Sequence, residues 1–265
     1  MVENLGTGFR TKTQEVNQSS TNYQHANHFA LTMVWLTPLL IMAFLVVACT
    51  QISNQVFNKK LTAGEIIYEI SFPDAGPESI TASLLPDRMS YTFSETGFAT
   101  HFESAGGVFQ NRIIADETNR TLHHQVKVFR KKIEVKMDET GVMKRLAERP
   151  KTHVIHTAGV DTIAGYPCKK AVIVFEDVDR PDMEVYYTDK IKMKSPNWCT
   201  EYHEIDGVLL AYEVEEFGIR MRLRATSIRP LDTPAPQEQA LPDYTLVTEE
   251  VMDVEINQLK ETFEL

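Results

Sequence analysis

Three cysteines, eight histidines and one run of alternating arginines are the residues of this 265-residue chain whose types could support chemistry. Cys168 and Cys199 show neither a CxxC spacing nor a metal-knuckle spacing, so no redox pair or zinc site is written into them. A reactive thiol needs a positive, partly exposed setting that favours the thiolate. Lys169 and Lys170 supply charge beside Cys168, but no histidine lies close in sequence to act as base, so packing is its expected role. His153 and His156 stand an odd step apart on an expected strand, and His123 and His124 are adjacent. The members of each pair therefore face opposite ways and cannot share a metal. Tyr202-His203-Glu204 offers one imidazole beside a carboxylate that faces away from it. HExxH, GxSxG, P-loop and dinucleotide motifs are absent, and neither a metal nor a cofactor is expected. Arg220, Arg222 and Arg224 line one face of a strand, as an anion site would. Glu213 and Glu215 fall on the same outer face of the preceding strand, which makes cross-strand ion pairing the expected arrangement.

The remaining cysteine closes a different kind of segment. Phe29 to Cys49 carries no charged residue and is the one stretch that water would reject outright. A run of about 20 apolar residues can cross a bilayer as a signal anchor. Its end, Val46-Val47-Ala48-Cys49, resembles the lipobox of bacterial lipoproteins, in which a small residue precedes a cysteine that is acylated and becomes the new N-terminus. Thr50 to Gln55 behind it reads as a polar tether. The leader Met1 to His28 is long for a signal peptide and balances Arg10 and Lys12 against Glu3 and Glu15, where such a region is normally short and net positive. Both readings place the folded part outside the cytoplasmic membrane, on the periplasmic side or at the cell surface. It is held there through an acylated Cys49 or an uncleaved apolar segment. With Cys49 acylated, Cys168 and Cys199 are left as an even pair in an oxidising compartment, where a disulfide and two buried thiols both remain open.

These boundaries divide the chain into a leader with its apolar segment (1–49), a tether (50–60) and a β-rich domain (61–265), long enough to bury one core. The net charge of −10 leaves no basic footprint for nucleic acid and gives no pull toward anionic lipid. From Lys60 onward the apolar period is two. Ile66, Tyr68, Ile70 and Phe72 alternate with Glu65, Glu69 and Ser71, with Ile67 the one break. Strands are expected near 80–84, 88–94 and 98–103. A Gly106-Gly107 turn then leads to 108–115, and two more strands carry Leu122 to Val128 and Ile133 to Met137. Asp138 can cap a helix over 138–148 that Pro150 ends. Further strands follow at 152–157, 162–164, 168–175 and 183–188, then a hairpin of 208–216 and 219–228 turning at Phe217-Gly218. A Pro-rich crossing, 230–242, leads to a final helix from about 247, with Glu249 and Glu250 in its first turn. An antiparallel meander with one apolar face and few helices closes into a barrel, stacks on a second sheet, or curves as a half-barrel beneath helices.

The segment Asp161-Thr162-Ile163-Ala164-Gly165-Tyr166-Pro167-Cys168-Lys169-Lys170-Ala171 resembles a "TI-x-GY-x-CKKA" signature. Val185 to Asp189 resembles the "vWYT-x-ei" segment that follows it, with Tyr186 where tryptophan is usual. Ile205-Asp206-Gly207-Val208 to Tyr212 and Leu241-Pro242-Asp243-Tyr244 complete the series. The series is similar to bacterial envelope proteins of unknown function, the DUF-type and GLPGLI-like families, whose fold is similar to the LolA/LolB lipoprotein carriers. The resemblance implies a mainly β (α+β) fold, a curved antiparallel half-barrel with a few helices across its concave face, and no catalytic residue. Gly165 and Tyr166-Pro167 also have a direct physical reading, a turn that needs glycine and an extended entry into the next strand. Three functions follow as expectations. The first is a non-enzymatic, lipid-anchored protein holding an apolar or lipid ligand, or a lipoprotein, in a half-barrel cavity. The second is an interaction module of an envelope assembly, and the third a hydrolase with a scattered site.

Overall fold

The computed structural model describes residues 60–74, 85–176, 181–216, 218–231 and 240–263. The apolar segment with Cys49, the tether, the strand expected at 80–84 and most of the Pro-rich crossing lie outside the described residues. The chain divides into two compact units, Met1–Asn58 and Lys59–Leu265. The second contains every described strand and helix.

Alternation of apolar and polar residues dictates the strands. They are β1 (Gly64–Ser71), β2 (Arg88–Ser94), β3 (Gly97–Glu103), β4 (Phe109–Asp116), β5 (Thr121–Val128) and β6 (Lys131–Met137). Helix α1 (Glu139–Ala147) follows, then β7 (Thr152–Ile163), β8 (Tyr166–Phe175), β9 (Met183–Thr188), β10 (Val208–Glu216) and β11 (Ile219–Pro230). The two-residue β12 (Thr245–Leu246) and helix α2 (Glu249–Phe263) end the series. In β1 Ile66, Tyr68 and Ile70 are buried, Glu69 and Ser71 exposed, and Glu65 and Ile67 half-buried on the outer face. The Asp138 carboxylate accepts the Gly141 amide at 2.9 Å, which is the expected cap of α1.

The strands form one sheet in the order β12-β6-β5-β4-β3-β2-β1-β11-β10-β9-β8-β7. Two meanders, β1–β6 and β7–β11, are thus zipped together by the antiparallel pair β1·β11, and among the described strands β12 pairs with β6 in parallel. Strands β6 and β7 are consecutive in the chain yet lie near opposite ends of the sheet. A flat sheet would hold them roughly 48 Å apart at about 4.8 Å per strand. The connection between them, nine of whose residues are helical, reaches at most about 35 Å. The sheet must therefore curl, and it forms an open, curved half-barrel, as expected. Val142 of α1 and Met252 and Ile256 of α2 enter the same core cluster as Ile66, Tyr68 and Leu223, so both helices cover the curl.

Two local findings differ from the expectation. The segments 152–157 and 162–164 are one strand, β7, interrupted by a bulge between His156 and Val160. The strand runs into β8 through a two-residue turn at Ala164-Gly165, whose φ values of 49° and 82° are those of a type I′ turn. Only glycine adopts that geometry without cost, which accounts for Gly165. Gly207 has a different reason. A Cβ there would stand 2.7 Å from the Tyr187 ring and 2.8 Å from the Thr188 carbonyl. Gly207→Ala should therefore destabilise the Lys59–Leu265 unit by about 1–3 kcal/mol, an overpacking cost that urea unfolding would read as a lowered midpoint with unchanged slope.

Candidate functional site

Inside the curl, residues of β1, β2, β3, β10 and β11 line a cavity of about 140 Å³. Its walls are mostly aromatic and aliphatic. Tyr91 stacks on Phe98 with ring centroids 4.9 Å apart, and Tyr68 meets both Tyr91 and Tyr212 edge-on at 6.3 and 5.8 Å. Each buried phenol needs a partner. Tyr68 donates to the Leu209 carbonyl at 2.6 Å and Tyr91 to the Met193 sulfur at 3.6 Å. Burial raises both phenols well above their ordinary range, so they act as neutral donors.

One side of the cavity is closed by the segment between β9 and β10. It folds back because it is tied at several points. Leu61 and Ile191 form a parallel bridge, and the Ser195 amide donates to the Glu117 carboxylate at 2.9 Å. Burial raises the Glu117 carboxyl while that amide opposes the shift. Asn197 Nδ2 donates to the carbonyls of Ile205 and Gly207 at 2.8 and 2.9 Å. The Arg120 guanidinium lies 5.1 Å over the Trp198 ring, and the Tyr202 hydroxyl donates to the Glu213 carbonyl. The four consecutive buried residues Val208–Ala211 show that both faces of β10 are covered here.

The other side is charged. Arg145 near the end of α1 and Arg149 just beyond it share Glu216 at the end of β10, at 3.2 and 2.8 Å. Arg149 also donates to the Glu215 carbonyl at 2.7 Å. Burial works against the Arg149 charge, but Glu216 and Glu201 outweigh it and the guanidinium is held firmly protonated. Glu201 is pushed toward its neutral form by burial. Arg149, Glu201 and Val214 form the wall between this cavity and a second one of about 220 Å³, which is also bordered by Phe175 and Met183.

The residues singled out in the sequence are dispersed by the fold. Cys168 is buried in the main core beside the Ala164-Gly165 turn and Tyr166 is half-buried against that core, while Cys199 sits on the segment closing the cavity. Both cysteines are free thiols in this structure. Burial pushes Cys168 up to about 11 and Cys199 up to about 12. His123 bonds Glu134 at 2.5 Å, and His124, on the opposite face, donates from Nε2 to Asn111 at 2.6 Å. His156 meets the Tyr187 hydroxyl at 3.0 Å, and His153 lies 3.3 Å from Glu176. No group of three or more His, Cys, Asp or Glu side chains that could hold a metal occurs among the described residues. Of the arginine run, Arg222 pairs with Glu213 at 2.7 Å as the alternation requires, Arg220 pairs chiefly with Asp74, and Arg224 reaches Asp161. The sequence reading missed Arg145, Arg149, Glu201 and Glu216. The available signal was the pair of arginines one turn apart at the end of a capped helix.

No family model matches the chain, and no curated protein matches it. Among solved structures it is similar to a β-barrel-like protein of the domain of unknown function DUF1849 from Brucella abortus, at 10% identity and a TM-score of 0.32, covering 66% of this chain and all of that one. It is similar to MucB in complex with MucA(peri), at 13% and 0.30, covering 71% of this chain and 57% of that one. LprF from Mycobacterium bovis matches at 8% and 0.27, over 68% of this chain and 90% of that one. A β-barrel-like protein of unknown function is thus among the structures this chain resembles.

Two outcomes are expected of these side chains. A thiol reagent at pH 8 should label neither Cys168 nor Cys199 in the folded Lys59–Leu265 unit and both after unfolding in urea; mass spectrometry reads the difference. Burial, aided by Arg145, pushes the His124 imidazole down to about 3, so it stays neutral when folded and takes up a proton on unfolding below its ordinary value near 6.5. Its contribution is complete above about pH 6.5 and is lost as pH falls toward 3, at up to about 1.4 kcal/mol per pH unit. Between pH 7 and 5, where most carboxylates stay ionised, His124→Gln should flatten the slope of unfolding free energy against pH.

Proposed function

We propose that the folded unit is a non-enzymatic binding protein of the bacterial envelope, held at a membrane surface through Cys49 or the apolar segment, whose curled sheet holds an apolar ligand. The observation that carries this reading is the cavity itself. A space lined by Tyr68, Tyr91, Phe98, Met221 and Leu223 is left open beneath a tied segment, against the main core. Well-packed cores leave few voids, and an apolar void of this order can accept a benzene-sized group. A multi-chain lipid needs more room, which opening of the wall at Arg149 toward the second cavity would supply.

A second reading, a docking module for an envelope partner, is favoured by β7. This strand ends the sheet and leaves Ile155 and Val160 exposed at 52% and 80%. A long edge strand with exposed apolar residues is a template for pairing.

Native mass spectrometry of the Lys59–Leu265 unit incubated with a total membrane-lipid extract separates the two. The binding reading expects a discrete added mass that Ile113→Trp, which fills the cavity, abolishes without loss of fold. A clean unliganded mass at high lipid, from a folded protein, contradicts it and moves the weight to β7.

A further inference from the structure

Several polar groups on the cavity wall are already engaged. Tyr68 and Tyr91 donate to Leu209 and Met193, Asn197 and Thr200 donate to backbone carbonyls, and Arg145 and Arg149 are paired with Glu216. Thr100 of β3 and Asn111 of β4 are different. Both line the cavity and both are buried, at 8% and 3% exposure. Asn111 Oδ1 accepts from His124 Nε2 at 2.6 Å, which fixes the amide and leaves its NH2 group without a hydrogen-bond partner among the described residues. The Thr100 hydroxyl also makes no hydrogen bond among the described residues. Neither group is sealed in by packing, as the Trp198 indole nitrogen is, so both open on the cavity. The strand register explains why they meet. Thr100 stands opposite Ile113 and Asn111 opposite Phe102, which makes the two polar residues diagonal neighbours on one face. Such neighbours lie about 7–8 Å apart, close enough for one oxygen to reach both side chains. A buried donor without an acceptor is costly, and an aliphatic residue at either position would avoid that cost.

We propose that the cavity selects an apolar molecule carrying one uncharged oxygen acceptor, a hydroxyl or a carbonyl, seated between Thr100 and Asn111 with its hydrocarbon part among Tyr91, Phe98 and Leu223. The inference rests on the binding reading above and adds the ligand's class to it. An asparagine NH2 group only donates, whereas a threonine hydroxyl donates or accepts. A carbonyl therefore accepts from both, while a hydroxyl accepts from Asn111 and donates to Thr100. A pure hydrocarbon satisfies neither. The alcohol and ester ends of lipids share this chemistry. Both wall groups are neutral, so they offer a ligand hydrogen bonds and no charge to answer. His124 is a positioning residue here, because its hold on Oδ1 turns the donor side of the amide toward the cavity.

The test uses the full chain in lipid nanodiscs with diazirine-bearing decanol, 2-decanone and decane, with crosslinked residues located by mass spectrometry. Thr100→Val keeps the shape of the side chain and removes its hydroxyl, and Asn111→Leu removes the amide. Each should lower interior labelling by decanol and 2-decanone about fivefold, the size of one hydrogen bond, and leave decane unchanged. Thr100→Val decides the matter if Asn111→Leu, which also takes a partner from His124, does not fold. Interior labelling that neither variant alters overturns the head-group inference and leaves the binding reading standing, the polar pair then serving only cavity water. An equal fall for all three probes overturns it as well, because a lost hydrogen bond cannot weaken decane. Absence of interior labelling by all three probes overturns both readings.

Discussion

The short connection from β6 through α1 to β7 is the constraint on which the rest of this structure depends. It joins strands that the hydrogen-bonding order sets near opposite ends of one sheet, and it is too short to do so unless the sheet curls. Curling creates an inside. Once there is an inside, the alternate residues of β1, β2, β3, β10 and β11 have a common destination, and α1 arrives over it because its own connection is what pulled the sheet round. The twist natural to antiparallel strands makes such curvature inexpensive. The pair β1·β11 lets it happen by making two meanders a single sheet.

The same constraint explains where polarity enters the interior. The end of α1 lies beside the end of β10, so Arg145 and Arg149 come to Glu216, and the closing segment between β9 and β10 adds Glu201. Their burial is tolerable because each guanidinium keeps a carboxylate and Arg149 a carbonyl as well. Opposite them the tyrosines bury hydroxyls that remain hydrogen-bonded to Leu209 and Met193. The interior is therefore amphipathic by construction, apolar for most of its wall and lined by paired charges at one end.

Much of the fold was legible in the sequence because it is local. The alternation in β1, the Asp138 cap and the turn glycine Gly165 are decided within a few residues, and they read correctly. The curved half-barrel followed from combining that alternation with the family resemblance. The continuity of β7 was not legible, because the bulge between His156 and Val160 breaks the period and exposes Val160 on a strand with one neighbour. Nor was β12, a two-residue parallel pair held by contacts with β6 far away in the chain. The site was the least legible part. Arg145, Glu201 and Glu216 come from three elements, and only the long-range pairing of β1 with β11 and the return of the segment before β10 bring them to one wall. The cysteines and histidines drew notice by their chemistry, yet the fold uses Cys168 as core and His124 as a neutral hydrogen-bond donor.

The central claim is that an apolar ligand enters the curl and does not dock on its outside. Fluorotyrosine incorporation with 19F NMR tests it most directly, because Tyr68, Tyr91 and Tyr212 line the cavity while Tyr186 and Tyr244 lie elsewhere, beside Lys170 and Lys132. On titration of the Lys59–Leu265 unit with decanoate, the account predicts that the resonances of Tyr68, Tyr91 and Tyr212 move together and saturably while Tyr186 and Tyr244 stay in place. Shifts confined to the outer tyrosines, or no saturable shift at all from a folded protein, would contradict it.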